Sequence, residues 1–256
     1  MNVRRELRRI GRIAGFGGLT GSMLTGFIAH EALTAPGDRD AVRERWVRAW
    51  CGGHLALFGV TVVVDGAAPP VPSGRGRLVV ANHRSTADIL VLLRAFGGHM
   101  VSRADLARWP LVGPAARAVG TLFVERGDAV SGARALRTIR TTLARGATVI
   151  VFPEGTTFAE DAVQPFQVGC FVAAVRSGAE ILPAGLAYAT GSGAAFVNES
   201  FPAHLARMAA AAPSRAALCI GSPLPYDRAG KPARARDLAH DAVQALVTKA
   251  RALADA

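Results

Sequence analysis

Leu78-Val79-Val80-Ala81-Asn82-His83-Arg84-Ser85-Thr86-Ala87-Asp88-Ile89 is an apolar run that stops abruptly in a polar turn. Four consecutive apolar residues bounded in this way read as a strand buried on both faces, as in a parallel sheet. The turn holds one histidine, with an aspartate five residues on. A neutral imidazole at a strand end can take a proton from a hydroxyl, and a nearby carboxylate can fix its tautomer and steady the imidazolium that forms. Ser85-x-x-Asp88, ahead of Ile89-Leu90-Val91-Leu92-Leu93, also fits a helix capping box. The two readings are compatible, because a carboxylate in a first helical turn can satisfy a backbone donor and still face His83. No Gly-x-Ser-x-Gly elbow is present and no cysteine adjoins His83, so the simplest chemistry is a base that activates the hydroxyl of a bound substrate.

Outward from this stretch, apolar strands alternate with helices. Strands are expected at 60–64, 78–81, 100–102, 121–124, 148–152, 181–188 and 216–220. Helices are expected at 42–57, 88–96, 110–118, 134–143, 169–176, 201–210 and 233–254, with Pro110 at a first helical position and Gly146 closing a C-terminus. This alternation predicts an α/β fold: a single, mostly parallel sheet covered by helices on both faces. No internal repeat and no low-complexity tail interrupts it.

Three more clusters follow strand ends or lie within strands. Gly120-Thr121-Leu122-Phe123-Val124-Glu125-Arg126-Gly127-Asp128 ends a strand in an Arg that can grip a phosphate with two parallel bonds, or simply be solvated. Val149-Ile150-Val151-Phe152-Pro153-Glu154-Gly155-Thr156-Thr157 ends in a turn where Gly155 allows close backbone approach and the threonine hydroxyls can bind oxygen atoms. A plain turn with Glu154 in solvent is the simpler alternative. Ile181-Leu182-Pro183-Ala184-Gly185-Leu186 alone is a buried strand with a proline bulge. Ligands of α/β sheets collect at the carboxyl ends of the strands, so the polar clusters are placed to converge.

The 256 residues suit one large domain or a domain plus an accessory element. Cys51, Cys170 and Cys219 are odd in number, far apart and without CxxC spacing, which argues against a disulfide framework or a zinc site and for a reducing compartment. A formal charge of +11 calls for an anionic partner. With 50% hydrophobic and only 6% aromatic residues, and no nucleic-acid motif, membrane lipid is preferred to nucleic acid. Arg4, Arg5, Arg8, Arg9 and Arg12 recur at helical spacing, with Val3, Leu7, Ile10 and Ala14 on the other face, as in a helix lying on an anionic bilayer. Residues 13–29 carry no charge but are slightly short for a span of about 20 residues. A weak span, an interfacial hairpin arm, a signal peptide and an ordinary core helix are the alternatives. Residues 1–34 are expected to be a membrane-associating segment and residues 42–256 the α/β domain, with Trp46 and Trp50 either in the core or at the interface.

In order and spacing, the four clusters together resemble the glycerolipid acyltransferase family, the type that acylates 1-acylglycerol-3-phosphate. Asn82-His83…Asp88 resembles its His-x4-Asp block, Phe123 to Arg126 its second, Phe152 to Thr156 its Phe-Pro-Glu-Gly-Thr block, and Ile181 to Leu186 its fourth, within a resemblance running over residues 46–223. The resemblance implies His83 as general base, Asp88 as its orienting partner and Arg126 as a phosphate ligand. It implies an acceptor pocket shaped by Glu154 and Gly155 with Thr156 and Thr157, and Arg103 where the family carries a basic residue. It implies an acyl-CoA or acyl carrier protein donor, neither metal nor bound cofactor, and a place on the cytoplasmic face of the cell membrane, peripheral or single-span. The expected reaction is acylation of a lysolipid, first 1-acyl-sn-glycerol-3-phosphate to phosphatidic acid in phospholipid biosynthesis. The family commonly has Arg where this chain has Thr157, which keeps lyso-ornithine lipid open as the acceptor. A thioester hydrolase and a non-catalytic basic membrane-binding module are the further alternatives.

Overall fold

The computed structural model describes residues 3–124, 129–225 and 230–256. The seven apolar runs are strands: β1 Val60–Asp65, β2 Arg77–Ala81, β3 His99–Arg103, β4 Leu122–Val124, β5 Thr148–Val151, β6 Glu180–Tyr188 and β7 Ser214–Ile220. They form one sheet in the order β1-β7-β6-β2-β5-β3-β4. Every pairing is parallel except β6 with β7, so the sheet is mostly parallel, with one reversal near its edge. The central strands β2, β5 and β6 are buried almost throughout, as a sheet covered on both faces requires.

The helices are α1 Val3–Ala32, α2 Arg39–Phe58, α3 Ala87–Phe96, α4 Val112–Ala118, α5 Ala129–Ala144, α6 Gly169–Ser177, α7 Phe201–Ala210 and α8 Pro232–Asp255. One core joins α2, α3 and α7 to one face of the sheet, and a second joins α5, α6 and α8 to the other. Two details differ from the sequence reading. The helix expected from Pro110 begins at Val112, after a short 3-10 turn over Ala104–Arg108. Pro183 makes no bulge: it stays in register opposite Val80, and Gly221 N–H donates to its carbonyl where β7 has already ended. Its missing N–H falls at the end of the β6–β7 pairing, which starts at Ala184 opposite Ile220.

The N-terminal segment is one continuous helix, α1, packed on α2 and α7. Its basic residues are divided. Arg12 is buried and donates to the Ala209 and Ala211 carbonyls at the C-terminal end of α7, and Arg8 also donates to Ala211. These bonds satisfy carbonyls that a helix end leaves without an intrahelical partner. Val3, Leu7 and Ile10 are exposed on the outer face. Among the described residues, no helix is long and apolar enough to cross a membrane.

The α1–α2 seam contains a buried polar contact. Thr20 Oγ1 accepts from Trp50 Nε1 at 3.3 Å and lies 2.9 Å from His54 Nε2, while His54 Nδ1 is buried without a partner. The Phe16 and Trp50 rings lie against the imidazole, so Trp50 belongs to the packed interior of the seam. Burial lowers the His54 pKa to about 4. A histidine kept neutral by folding contributes stability above its unfolded pKa of about 6.5, and loses that contribution as pH falls towards the folded value. Stability measured by chemical denaturation is therefore expected to fall between pH 6.5 and 4, and His54→Phe should flatten that part of the profile relative to the parent. An unchanged slope in His54→Phe would remove His54 as the cause.

Candidate active site

β2 ends at Ala81, and the chain turns through Asn82, His83 and Arg84 into α3. Asn82 fixes the exit direction: its side chain donates to the Leu186 carbonyl (2.9 Å) and accepts from the Leu186 N–H (2.8 Å), a two-bond clasp to β6. Asp88 lies in the first turn of α3 and is fully buried. Its Oδ2 accepts from the backbone N–H of Arg84 (2.6 Å) and Ser85 (2.8 Å) and from His83 Nδ1 (2.9 Å). Its Oδ1 accepts from the Tyr188 hydroxyl at 2.6 Å. One carboxylate thus closes the helix start and holds the imidazole.

Four donors around Asp88 make it acceptor-only, which places the neutral imidazole proton on Nδ1 and leaves Nε2 as the basic nitrogen. The His83 ring stacks on Phe152 at 3.9 Å with an interplanar angle of 4°, so its plane is fixed as well. Burial and the neighbouring Asp88 charge hold the Tyr188 phenol well above its ordinary pKa, keeping it a donor. The Ser85 hydroxyl accepts from the Ala87 N–H. Burial pushes the Cys170 thiol up to about 12, so this cysteine beside the cavity is protonated at neutral pH and a poor nucleophile.

The turn after β5 supports the histidine from below. Glu154 is not in solvent; its carboxylate is buried and accepts from His83 N (2.7 Å) and Gln164 N (2.9 Å). Both of its oxygens lie 3.2 Å from Arg84 Nη1, and that nitrogen also donates to the His83 carbonyl at 3.0 Å. Glu154 therefore positions the His83 backbone instead of reaching into the pocket. Gly155 sits at φ +80°, and a Cβ there would come 2.7 Å from Gln167 Nε2. The Thr157 hydroxyl donates to the Phe196 carbonyl, while the Phe196 N–H donates to the Arg84 carbonyl (2.8 Å), so the 190–200 loop is tied to both turns.

His83, Gly155, Thr156, Thr157 and Arg103 line one cavity of about 1360 Å³. Its remaining wall is largely apolar and extends to Phe16, Met23 and Phe27 of α1, Trp46 of α2, Leu90 of α3 and Leu136 of α5. It is larger than most small-ligand pockets and suited to a long apolar group. Arg103 is exposed and forms two bonds to Asp105, at 3.0 and 3.1 Å. Arg126, expected at a phosphate, lies outside the described residues. Arg84, Tyr188 and Asn82's clasp are additional to the sequence reading. Arg84 is adjacent to His83 and could have been suspected as the partner of Glu154; nothing local marks Tyr188, which is 100 residues from Asp88. Among the described residues, no cluster of His, Cys, Asp and Glu could hold a metal ion.

Three comparisons bear on this site. The model of the family described as Acyltransferase matches residues 64–187. The chain is 32% identical over 188 residues to the lyso-ornithine lipid O-acyltransferase of Pseudomonas aeruginosa, across 72% of this chain and 69% of that protein. It is 30% identical over 183 residues to the 1-acyl-sn-glycerol-3-phosphate acyltransferase of Neisseria meningitidis, across 72% and 68%. Among solved structures, the crystal structure of the 1-acyl-sn-glycerophosphate acyltransferase PlsC from Thermotoga maritima superposes with a TM-score of 0.74 at 23% identity, across 96% of this chain and 97% of that one, a likeness of fold.

The buried Arg84–Glu154 pair generates a test of the scaffold. Removing one member leaves an uncompensated buried charge, which costs about 3–5 kcal/mol. Arg84→Met should lose stability of that order in urea denaturation, and Arg84→Met with Glu154→Gln should recover part of it. A single variant as stable as the parent would show that the pair does not brace the turn.

Proposed function

The chain belongs to the acyltransferase family, and we propose that it moves a fatty acyl group from an acyl thioester to the free hydroxyl of a lysolipid, 1-acyl-sn-glycerol-3-phosphate before others, to give phosphatidic acid. The observation that carries this is the His83–Asp88 pair opening on an apolar cavity: a base with a fixed tautomer beside space for an acyl chain.

His83 Nε2 takes the proton from the acceptor hydroxyl. The alkoxide attacks the thioester carbonyl, the new C–O bond forms, and the tetrahedral oxyanion is met by Arg103 or by backbone N–H groups at the strand ends. The C–S bond breaks, and the imidazolium returns its proton to the departing thiolate. Asp88 stabilises the imidazolium between these steps. Transfer is direct, without an acyl-enzyme, in keeping with the protonated Cys170. Arg126 contacts the acceptor headgroup, and Gly155, Thr156 and Thr157 line its pocket. The donor is acyl-CoA or an acyl carrier protein, and no metal or bound cofactor takes part.

A second acceptor, lyso-ornithine lipid, is favoured by one observation: the Thr157 hydroxyl is engaged by Phe196, and no cation stands at that position. Radiolabelled acyl-CoA offered with a panel of lysolipids separates the two. The acceptor that becomes diacylated identifies the substrate, and free fatty acid without diacylation points to a hydrolase. In the same assay His83→Ala should lose roughly 10²–10⁴-fold in turnover with the fold intact, as expected for loss of a general base. Near-normal turnover by folded His83→Ala would contradict the mechanism.

The enzyme works from the cytoplasmic face of the cell membrane as a peripheral protein, with α1 as its docking element. Val3, Leu7 and Ile10 are exposed beside Arg4 and Arg5, and burying two such side chains in the headgroup boundary is worth about 3 kcal/mol. Leu7→Glu with Ile10→Glu should therefore weaken partition into anionic vesicles at least roughly tenfold. Unchanged partition would place the docking surface elsewhere.

A further inference from the structure

The turn after β5 is stapled to the segment that leads into α6. Gln164 N–H donates to Glu154 (2.9 Å), and Gln167 N–H donates to the Pro153 carbonyl (2.9 Å). Phe166, between them, is buried against Phe171 and edge-on to His240. The Gln167 backbone is therefore fixed beside the turn that supports His83. Its side chain is not fixed in the same way: Gln167 is exposed, and among the described residues no hydrogen bond engages its carboxamide. That carboxamide lies across Gly155, where a Cβ would come 2.7 Å from Nε2 and 3.4 Å from Cδ. The φ of +80° at Gly155 already favours glycine, and the absent Cβ also leaves the space that the amide occupies.

Gln167 lines the same cavity as His83, Gly155, Thr156 and Thr157. The roles open to a free amide there differ in what they demand. A donor to the tetrahedral oxyanion acts by being held in place before the reaction, and an exposed carboxamide without an internal hydrogen bond is not so held. A contact made as the substrate binds has no such requirement. The acyl chain belongs with the apolar wall and has no use for an amide. The acceptor headgroup is attached only a few bonds from the hydroxyl that His83 deprotonates, so it lies against the polar turn beside His83. On that turn the Glu154 carboxylate is committed to backbone N–H groups and Arg84, and the Thr157 hydroxyl to the Phe196 carbonyl. The Gln167 amide is uncommitted.

We propose that Gln167 is a specificity-determining residue for the acceptor: its Nε2 donates to an anionic oxygen of the lysolipid headgroup, from the phosphate of 1-acyl-sn-glycerol-3-phosphate or the carboxylate of lyso-ornithine lipid. The inference rests on the acyl-transfer reading and deepens it by naming the residue of this site that meets the headgroup. Gly155 acts through Gln167, as the position whose missing side chain lets the amide lie over the turn.

Steady-state kinetics of the full chain with each lysolipid, with acceptor and acyl-CoA varied in turn, test this. Gln167→Met keeps the length and removes the donor. It should raise the acceptor KM roughly tenfold, the factor expected of a hydrogen bond to a charged group, and leave kcat and the acyl-CoA KM as in the parent. Gln167→Glu should raise the acceptor KM further by repelling the same oxygen, and Gln167→Lys should match or improve on the parent. Gly155→Ala places a Cβ where the amide lies, so it should raise the acceptor KM as well, and adding Gln167→Met to it should make matters no worse, because both changes remove one contact. If Gly155→Ala does not fold, the Gln167 series decides alone. The lysolipid whose KM responds identifies the headgroup. An acceptor KM unmoved in both Gln167→Met and Gln167→Glu overturns the proposal. A change confined to the acyl-CoA KM also overturns it, by placing the amide on the donor, as does one confined to kcat, by placing it at the oxyanion. Absence of turnover by the parent with either lysolipid refutes the acyl-transfer reading instead. Direct titration of the parent and Gln167→Glu with the two lysolipids then still decides this proposal, which equal binding by both proteins overturns.

Discussion

The Asp88 carboxylate is the constraint on which the rest of the site depends. Its Oδ2 receives two backbone N–H groups and an imidazole N–H, and its Oδ1 receives a phenol. The backbone bonds require α3 to begin where it does. The phenol requires β6 to lie beside β2, which the parallel register from Arg77 with Glu180 to Ala81 with Ala184 provides. With four donors converging on it, the carboxylate is held in one orientation, and His83 inherits that rigidity. A buried polar network of this kind specifies one geometry only when each member is satisfied. Beside it, Glu154 and Arg84 pin the His83 backbone from the neighbouring strand end, with Arg84 Nε left buried without a partner.

The fold was legible because the sheet is buried. The runs at 78–81, 149–152 and 181–188 are apolar, short and bounded by turns, the pattern of a strand covered on both faces. His83 and Asp88 were legible because polar residues directly after such a run must face either solvent or a site. Other features had no local signal. Tyr188 reads as the last residue of a strand, and only the β2–β6 register brings it to Asp88. Glu154 looked like a pocket residue, but its burial and three donors make it a support for the backbone. Pro183 suggested a bulge because a sequence does not reveal where the neighbouring strand stops. The N-terminal segment showed its amphipathic character but not that Arg8 and Arg12 turn inward to the end of α7.

The same histidine faces two environments. Around its Nδ1 side the protein is dense with hydrogen bonds; beyond the ring lies a long, mostly apolar space closed by α1 and α2. A polar acceptor and an acyl chain can meet only where these adjoin. The seam at Thr20, Trp50 and His54 keeps α1 in its place as part of that wall, so the helix assigned to the membrane is also part of the cavity.

The most direct measurement of the central claim is the protonation pattern of His83. Nitrogen-15 NMR of the neutral imidazole, assigned by comparison with a His83→Gln variant, reports which ring nitrogen carries the proton. The account predicts a proton on Nδ1, an unprotonated Nε2, and loss of that preference in Asp88→Asn. A neutral His83 with its proton on Nε2, or one whose tautomer is indifferent to Asp88, would contradict it.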